Sequence, residues 1–145
     1  MKIKIEQSPE IDEEEIIIRC GALSDRITAL IEQIRLYDFS VIGTKEGRNY
    51  RVGLEDIYYI ESVEERTYLY RKTDMLESQL RLYELEQQLS GTSFQRISKT
   101  CIMNLYHLEC VSPQLDGRFE AKLENGEKII INRHYVKAFK QKFGI

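Results

Sequence analysis

The most informative stretch of the sequence reads Phe94-Gln95-Arg96-Ile97-Ser98-Lys99-Thr100-Cys101-Ile102-Met103-Asn104. Cations and hydroxyls occupy its centre, and an apolar run from Cys101 to Met103 follows them. This pattern predicts a polar loop presented by a strand that is anchored in a core, because binding groups commonly lie on loops held by rigid elements. The stretch therefore indicates a recognition surface and not a catalytic pocket.

Three other motifs accompany this stretch. They read Tyr59-Ile60-Glu61-Ser62, Leu82-Tyr83-Glu84-Leu85-Glu86 and Asn132-Arg133-His134-Tyr135. The four motifs, in this order, resemble the LytTR family of bacterial DNA-binding domains, and the resemblance extends from about Val41 to Phe143. Four positions depart from the usual family pattern, and these departures bear on base preference. Ser98 replaces a His, Lys99 an Arg or Asn, Cys101 an aromatic residue, and Asn132 the common Ser.

The composition indicates a globular protein. Hydrophobic residues make up 42% and charged residues 31% of the 145 residues, enough for one domain with a small extension. No apolar run approaches the roughly 18 residues that span a bilayer, and the start of the chain does not resemble a signal peptide, so we expect a cytoplasmic protein. Because Cys20, Cys101 and Cys110 are widely spaced and have apolar neighbours, we expect buried free thiols.

The charge is unevenly distributed along the chain. The net charge is −3, and residues 1–18 hold two lysines against six acids. Residues 128–142 instead hold five cations and no acid. Such asymmetry separates an acidic element from a basic face.

Residues 1–40 predict a small β-β-α extension. Alternation around Ile3 and Ile5 favours a half-buried strand, and Ile16 to Cys20 favours a more buried one. Ser24 can cap a helix that continues to about Tyr37. The apolar stripe of this helix consists of Ile27, Leu30, Ile31 and Ile34. Two interpretations remain open, since the stripe can serve self-association or pack only within its own chain.

Residues 41–145 predict a mainly β domain, so the whole chain is α+β with antiparallel sheets. Hairpins are expected at Glu46-Gly47, Glu64-Glu65, Asp116-Gly117 and Asn125-Gly126. Two helices complete the predicted elements of this domain. One is a short leucine-lined helix at Leu82 to Leu89, and the other is a closing helix from Arg133. We find no phosphate loop, dinucleotide fingerprint or Cys-x-x-Cys pair. We therefore predict no enzyme, no cofactor and no metal site.

The resemblance implies that loops between strands enter successive major grooves of double-stranded DNA. At matching positions it implies Lys99 as a base reader, Arg133 as a base or phosphate reader, and Arg66 as the contact of the first loop. The complete set of predicted DNA-binding residues is Arg66, Arg96, Ser98, Lys99, Asn104, Arg133, His134, Lys137 and Lys140.

Each of these predictions has a structural alternative. Lys99 could be merely exposed, Arg133 could cap the closing helix or pair with Glu109, and Arg66 could balance Glu64. Arg96 is as consistent with a structural ion pair as with a phosphate contact. His134 suits a phosphate contact or a structural role. Asn104 is expected to form a hydrogen bond at a strand end and so to hold the loop in place.

The predicted function is that of a transcriptional regulator. Resemblance implies binding to paired direct repeats, hence a homodimer at least on DNA. Many relatives carry a receiver domain ahead of this one, and residues 1–40 are too few to form it. Control is therefore expected from expression level, a membrane partner that sequesters the protein, or association through the stripe from Ile27 to Ile34. The alternative is an adaptor module that has lost DNA binding, and a small-molecule sensor is a third hypothesis.

Overall fold

A seven-stranded antiparallel sheet is the central element of the computed structural model, which describes residues 1–145. Its strands are β1 (Ser40–Lys45), β2 (Arg48–Gly53), β3 (Tyr59–Val63), β4 (Arg66–Tyr70), β5 (Met75–Ser78), β6 (Phe94–Arg96) and β7 (Cys101–Asn104). They are arranged in the order β2-β1-β5-β4-β3-β7-β6. The signature stretch thus forms the hairpin β6–β7 at one border of the sheet.

A second sheet and three helices surround the first sheet. The second sheet consists of β8 (Leu108–Pro113), β9 (Phe119–Leu123) and β10 (Lys128–Ile131). The helices are α1 (Asp25–Asp38), α2 (Leu82–Gln88) and α3 (Arg133–Phe143). None of the three is both long and apolar enough to span a bilayer. This arrangement confirms the predicted mainly β fold with short helices.

Each face of the large sheet has its own core because successive side chains of a strand point to opposite faces. On one face, Ile60 and Leu69 pack with the leucines of α2, as predicted for that stripe. On the other face, Met103 packs with Leu123 of the second sheet and with Phe139 of α3. The large sheet therefore fixes the position of β6–β7 relative to both the second sheet and α3.

The predicted hairpins form where glycine permits a positive φ. Gly47, Gly117 and Gly126 have φ of 75°, 84° and 90°, values at which a Cβ would be strained. The Glu64-Glu65 turn forms as well, although it contains no glycine. The sequence thus predicted the main turns of both sheets.

Helix α1 is attached mainly through its C-terminal end. The Ser24 Oγ accepts a hydrogen bond from the Ile27 N–H at 3.2 Å, which confirms the predicted cap. Leu36 is buried in the core, and the Arg35 Nη1 donates to the Gly91 carbonyl at 2.8 Å. The predicted stripe from Ile27 to Ile34 is half-buried. Its use in self-association stays a prediction.

Two expectations for the chain are wrong. The strands predicted at residues 2–6 and 16–20 do not form, and residues 1–17 are exposed throughout. β-Propensity without a neighbouring strand and a core to cover does not produce a strand. The three thiols are free as expected, but Cys20 and Cys110 are exposed and only Cys101 is buried.

The turn between β3 and β4 should be strained. Glu64 and Glu65 both adopt positive φ, 50° and 65°, as a type I′ turn requires, although such turns favour Asn-Gly. We expect the double substitution Glu64→Asn and Glu65→Gly to raise the free energy of unfolding by about 1 kcal/mol, measured by urea denaturation. The control Glu84→Gly, inside α2, should lower it by about 1 kcal/mol. Loss of stability in the double variant would contradict the interpretation.

Candidate nucleic-acid interface

Three segments meet at one end of the structure. They are the β3–β4 turn, the loop Ile97–Thr100 between β6 and β7, and the start of α3. The Ser62 N–H donates to the Thr100 carbonyl at 2.8 Å, and the Asn132 N–H donates to the Ile97 carbonyl at 2.9 Å. Backbone hydrogen bonds therefore join the loop to the other two segments, which are distant in sequence.

The side chain of Arg96 holds the loop in shape. Its Nε donates to the Ser98 carbonyl at 2.6 Å, and its Nη2 donates to the Lys99 carbonyl. Its Nη1 lies 3.4 Å from the Glu86 carboxylate, and only 18% of the Arg96 side chain is exposed. Because a guanidinium offers its donors in a fixed plane, it can fix two successive carbonyls at once. The structure thus gives Arg96 the supporting role, together with the ion pair that the sequence left open.

The loop presents Lys99 to solvent. The Ser98 Oγ accepts from the Thr100 N–H at 3.2 Å, which closes a small local turn. Lys99 is exposed and has no carboxylate within 4.0 Å of its Nζ. The backbone on both sides is therefore constrained while the ammonium group remains available to an anionic ligand.

The loop and α3 enclose a cleft of about 490 Å³. Ser98, Lys99 and His134 line it, so three of the predicted residues come together here. Its other polar lining residues are Glu61, Thr100, Asn132 and Tyr135. The cleft combines cationic, hydroxyl, amide and carboxylate groups, which suits recognition of a polar surface.

The first turn of α3 adds Arg133 and the free N–H groups of a helix start. Arg133 is exposed, its methylene groups lie against Gly117, and no carboxylate lies within 4.0 Å. The alternative pairing with Glu109 does not occur, since Glu109 binds Lys122 at 3.4 Å. Asn132 is the N-cap residue, and its side chain makes no capping bond. A helix start of this kind attracts anions.

The remaining predicted cations lie near these elements. Lys137 and Lys140 are exposed on α3, and the Lys140 Nζ lies 5.2 Å from the centre of the Phe119 ring. Lys142, by contrast, donates to the Phe94 carbonyl at 3.0 Å, and desolvation by burial lowers its pKa. Lys142 therefore anchors the end of α3 to β6, whereas the two other lysines face solvent.

Arg66 follows the β3–β4 turn at the same end of the sheet. It pairs with Val63 across the hairpin, and 67% of its side chain is exposed. Its Nε lies 4.0 Å from the Glu77 carboxylate, not beside Glu64. Such a long, exposed ion pair holds the side chain weakly, so Arg66 can turn to another anion.

Asn104 is not positioned to contact DNA. Its side chain is fully buried, with 0% exposed, and its Oδ1 accepts from the Ser93 hydroxyl at 2.6 Å and the Tyr106 N–H at 3.1 Å. Its Nδ2 donates to the Ile57 carbonyl at 2.8 Å. A direct contact is therefore excluded for this structure, and the hydrogen-bonding role at the strand end describes the residue.

Cys101 contributes packing and not reactivity. Burial, with a smaller contribution from Glu61, raises the pKa of its thiol to about 12. A thiol with such a pKa stays protonated at neutral pH and is a poor nucleophile. The residue that replaces an aromatic ring in the signature is thus part of the core between the two sheets.

Sequence reasoning missed some members of this surface. Glu61, Asn132 and Tyr135 line the cleft, and Gly117 brings the β8–β9 hairpin beside Arg133. The motifs contain Glu61, Asn132 and Tyr135, but only the folded chain shows that they line the same cleft as Lys99. Strand β3 places Glu61 opposite Cys101, and the Asn132 N–H donates to the Ile97 carbonyl, so both placements depend on contacts distant in sequence.

With this geometry established, comparison with known proteins identifies the family. The LytTr DNA-binding domain family matches residues 47–144. The chain therefore belongs to the LytTR family of DNA-binding domains. This membership confirms the predicted DNA-binding regulator, while the individual contact residues stay predictions.

Two relatives differ in how much of their length is shared. The sensory transduction protein LytT of Enterococcus faecalis is 35% identical over 107 residues, which cover 69% of this chain and 41% of that protein. The chain thus spans less than half of that relative. An uncharacterized HTH-type transcriptional regulator of Staphylococcus aureus strain MSSA476 is 24% identical over 147 residues, which cover 100% of this chain and 99% of the relative.

A solved structure shares the fold. A LytTr DNA-binding domain from Bacillus cereus superposes with a TM-score of 0.69 and 23% identity, covering 73% of this chain and 97% of the other. Helix-turn-helix proteins join two helices through a short turn, whereas strands separate α1, α2 and α3 here. The helix-turn-helix class in the name of the Staphylococcus relative therefore does not describe the fold of this chain.

The role of Arg96 can be tested by removing either side of its contacts. We expect Arg96→Ala to speed hydrogen exchange at Lys99 and Thr100 and to lower the free energy of unfolding by about 1–2 kcal/mol, because two carbonyls lose charged donors. Glu86→Gln removes only the exposed ion pair and should change stability by less than about 0.5 kcal/mol. Equal effects of the two substitutions would assign the role to the ion pair instead.

The buried amide of Asn104 should be a major determinant of stability. Asn104→Ala leaves the Ser93 hydroxyl and the Ile57 carbonyl without their partner, so we expect the free energy of unfolding to fall by about 2–4 kcal/mol, measured by thermal and urea unfolding. Asn49→Ala, at an exposed strand position, should change it by less than about 0.5 kcal/mol. Unchanged stability of Asn104→Ala would refute the assigned role.

Proposed function

We propose that this protein reads double-stranded DNA through the loop Ile97–Thr100, the start of α3 and the β3–β4 turn. One observation carries the proposal: Lys99 and Arg133 project without acidic partners from two segments joined by backbone hydrogen bonds. Arg71, in the turn between β4 and β5, is by contrast neutralised, because its guanidinium lies 2.5 Å from Asp74. Unpaired cations on a constrained backbone suit binding to a polyanion. They can displace the counterions condensed on the DNA phosphates without first breaking an ion pair within the protein.

The contacts divide into two kinds. Lys99, at the centre of the loop, reads base edges in one major groove, and Arg133 reads a guanine or holds a phosphate beside it, since guanidinium matches the O6 and N7 acceptors of guanine. The start of α3, with Lys137 and Lys140, holds the phosphate backbone. Arg66 contacts phosphate at the neighbouring groove. His134 and Ser98 donate hydrogen bonds at the border of the cleft.

Glu61 gives the cleft a base preference. Glu61 lines the same cleft as Lys99 and His134, and its carboxylate repels phosphate while accepting hydrogen bonds. The exocyclic amino group of cytosine in the major groove is a suitable donor. Lys99 and Glu61 together favour a base pair that presents acceptors on one strand and an amino group on the other.

Regulation requires more than one copy on DNA in this proposal. Two copies bind paired direct repeats, and the spacing of the repeats sets the distance between them. A protein partner that sequesters the chain is a means of control consistent with the exposed acidic residues 1–17.

The alternative of an adaptor module is supported by one observation. The chain has a net charge of −3, and an exposed acidic N-terminus precedes the domain. Such a segment suits a basic protein partner more than DNA. Salt dependence separates the two functions, because phosphate contacts produce a slope of about 0.9 per contact in log affinity against log salt.

The proposal is tested by measuring binding to DNA upstream of the gene that encodes this protein, at two salt concentrations. We expect Lys99→Ala and Arg133→Ala each to weaken specific binding by about 1–3 kcal/mol and to relax the sequence preference. The readout is fluorescence anisotropy with specific and scrambled duplexes.

The matched control is Lys72→Ala, which removes an exposed lysine from the turn after β4, at the opposite end of that strand from Arg66. Its binding and salt slope should equal those of the wild type. Binding without sequence preference, unchanged in all three variants, would refute the DNA-reading mechanism and favour the adaptor.

A further inference from the structure

Strand β2 is a basic, unpaired border of the large sheet. It pairs only with β1, so its other side presents free backbone donors and acceptors. Arg48 and Arg51 on this strand are exposed, and neither lies within 4.0 Å of a carboxylate. An open strand edge of this kind is a template for another strand, unless charge prevents the pairing.

The N-terminal arm, residues 1–23, has the opposite charge and no partner. Its only hydrogen bonds join the Glu10 and Ile11 N–H groups to Ser8 within the arm itself. Ile16 and Ile17 are 68% and 65% exposed. Acids run from Asp12 to Glu15, directly before three isoleucines with high β-propensity. The arm is thus an acidic segment that its own chain leaves uncovered.

Charge decides which strand can occupy the border of β2. A second β2 would bring arginines against arginines, which is unfavourable across a sheet. The arm brings acids instead, and Asp12 and Glu15 have the same three-residue spacing as Arg48 and Arg51. In a parallel arrangement, one register therefore satisfies both ion pairs and places Ile16 and Ile17 opposite Val52 and Gly53, the last two residues of β2.

We propose that the arm of one copy, through residues 12–18, adds as a strand to β2 of a second copy. The seven residues span about 23 Å, which matches the six residues of β2. Backbone hydrogen bonds supply affinity, and the pairs of Asp12 and Glu15 with arginines fix the register. The contact joins two different surfaces, so it forms either a reciprocal dimer or a head-to-tail pair.

Charge exchange between two variants tests the proposal. Variant A carries Arg48→Glu and Arg51→Glu, and variant B carries Asp12→Lys and Glu15→Lys. Each alone should associate about tenfold more weakly than the wild type, because like charges then face each other across the new pair of strands. An equimolar mixture should recover association, since each edge in it meets an arm of opposite charge. Sedimentation velocity and native mass spectrometry of the full chain measure both.

The control is Glu6→Lys with Glu10→Lys, which changes the arm charge by the same amount outside the proposed strand and should retain wild-type association. Recovery in the mixture supports pairing between copies. A wild type that is monomeric at 100-fold dilution and at the highest soluble concentration alike overturns the proposal, as does a mixture that stays monomeric. Because Lys99 and Arg133 are unchanged in A and B, DNA binding by these variants reports separately on the proposed function.

Discussion

The side-chain amide of Asn104 is the interaction on which the arrangement of the proposed DNA-binding end depends. It lies where β7 ends, and its oxygen and nitrogen reach Ser93 before β6 and Ile57 before β3. A buried amide is stable in a core only when its donors and acceptors are satisfied, so the three segments must close around it together. The neighbouring strands β3, β7 and β6 are thereby held in one register at their base. The loop at the far end of β6 and β7 is therefore held in a fixed position as well.

Charge placement explains how an acidic protein can bind a polyanion. In the turn between β4 and β5 an acid neutralises a cation, and the pair formed by Arg71 and Asp74 keeps the pKa of that carboxyl well below its usual range. The first turn of α3 contains no acid at all. Local potential near a ligand is set by the nearest unpaired charges, because salt screens distant ones. A net charge of −3 is therefore compatible with a basic surface at one end of the molecule.

Local patterns in the sequence predicted most elements of the fold, and contacts between distant segments account for what they missed. Helix α2 and the glycine-containing turns are determined by residues close together in the sequence. Helical periodicity and turn chemistry were therefore sufficient to predict them. The isoleucines at positions 16–18 have strand propensity but no neighbouring strand. The strand predicted there from propensity alone does not form. Arg96 and Asn104 were among the predicted DNA contacts because the signature stretch contains them. Only the folded chain shows that their side-chain donors bond to carbonyls of the protein.

The hold of Arg96 on the loop carbonyls has a thermodynamic consequence. A loop that is held in one shape before binding loses little conformational entropy when a ligand arrives, whereas a disordered loop must lose it at that moment. Heat-capacity changes on association then reflect the surfaces that meet and not the folding of a segment. Differences between DNA sites would accordingly appear in the enthalpy of base contacts and in dissociation rates, with association as fast as rigid docking permits.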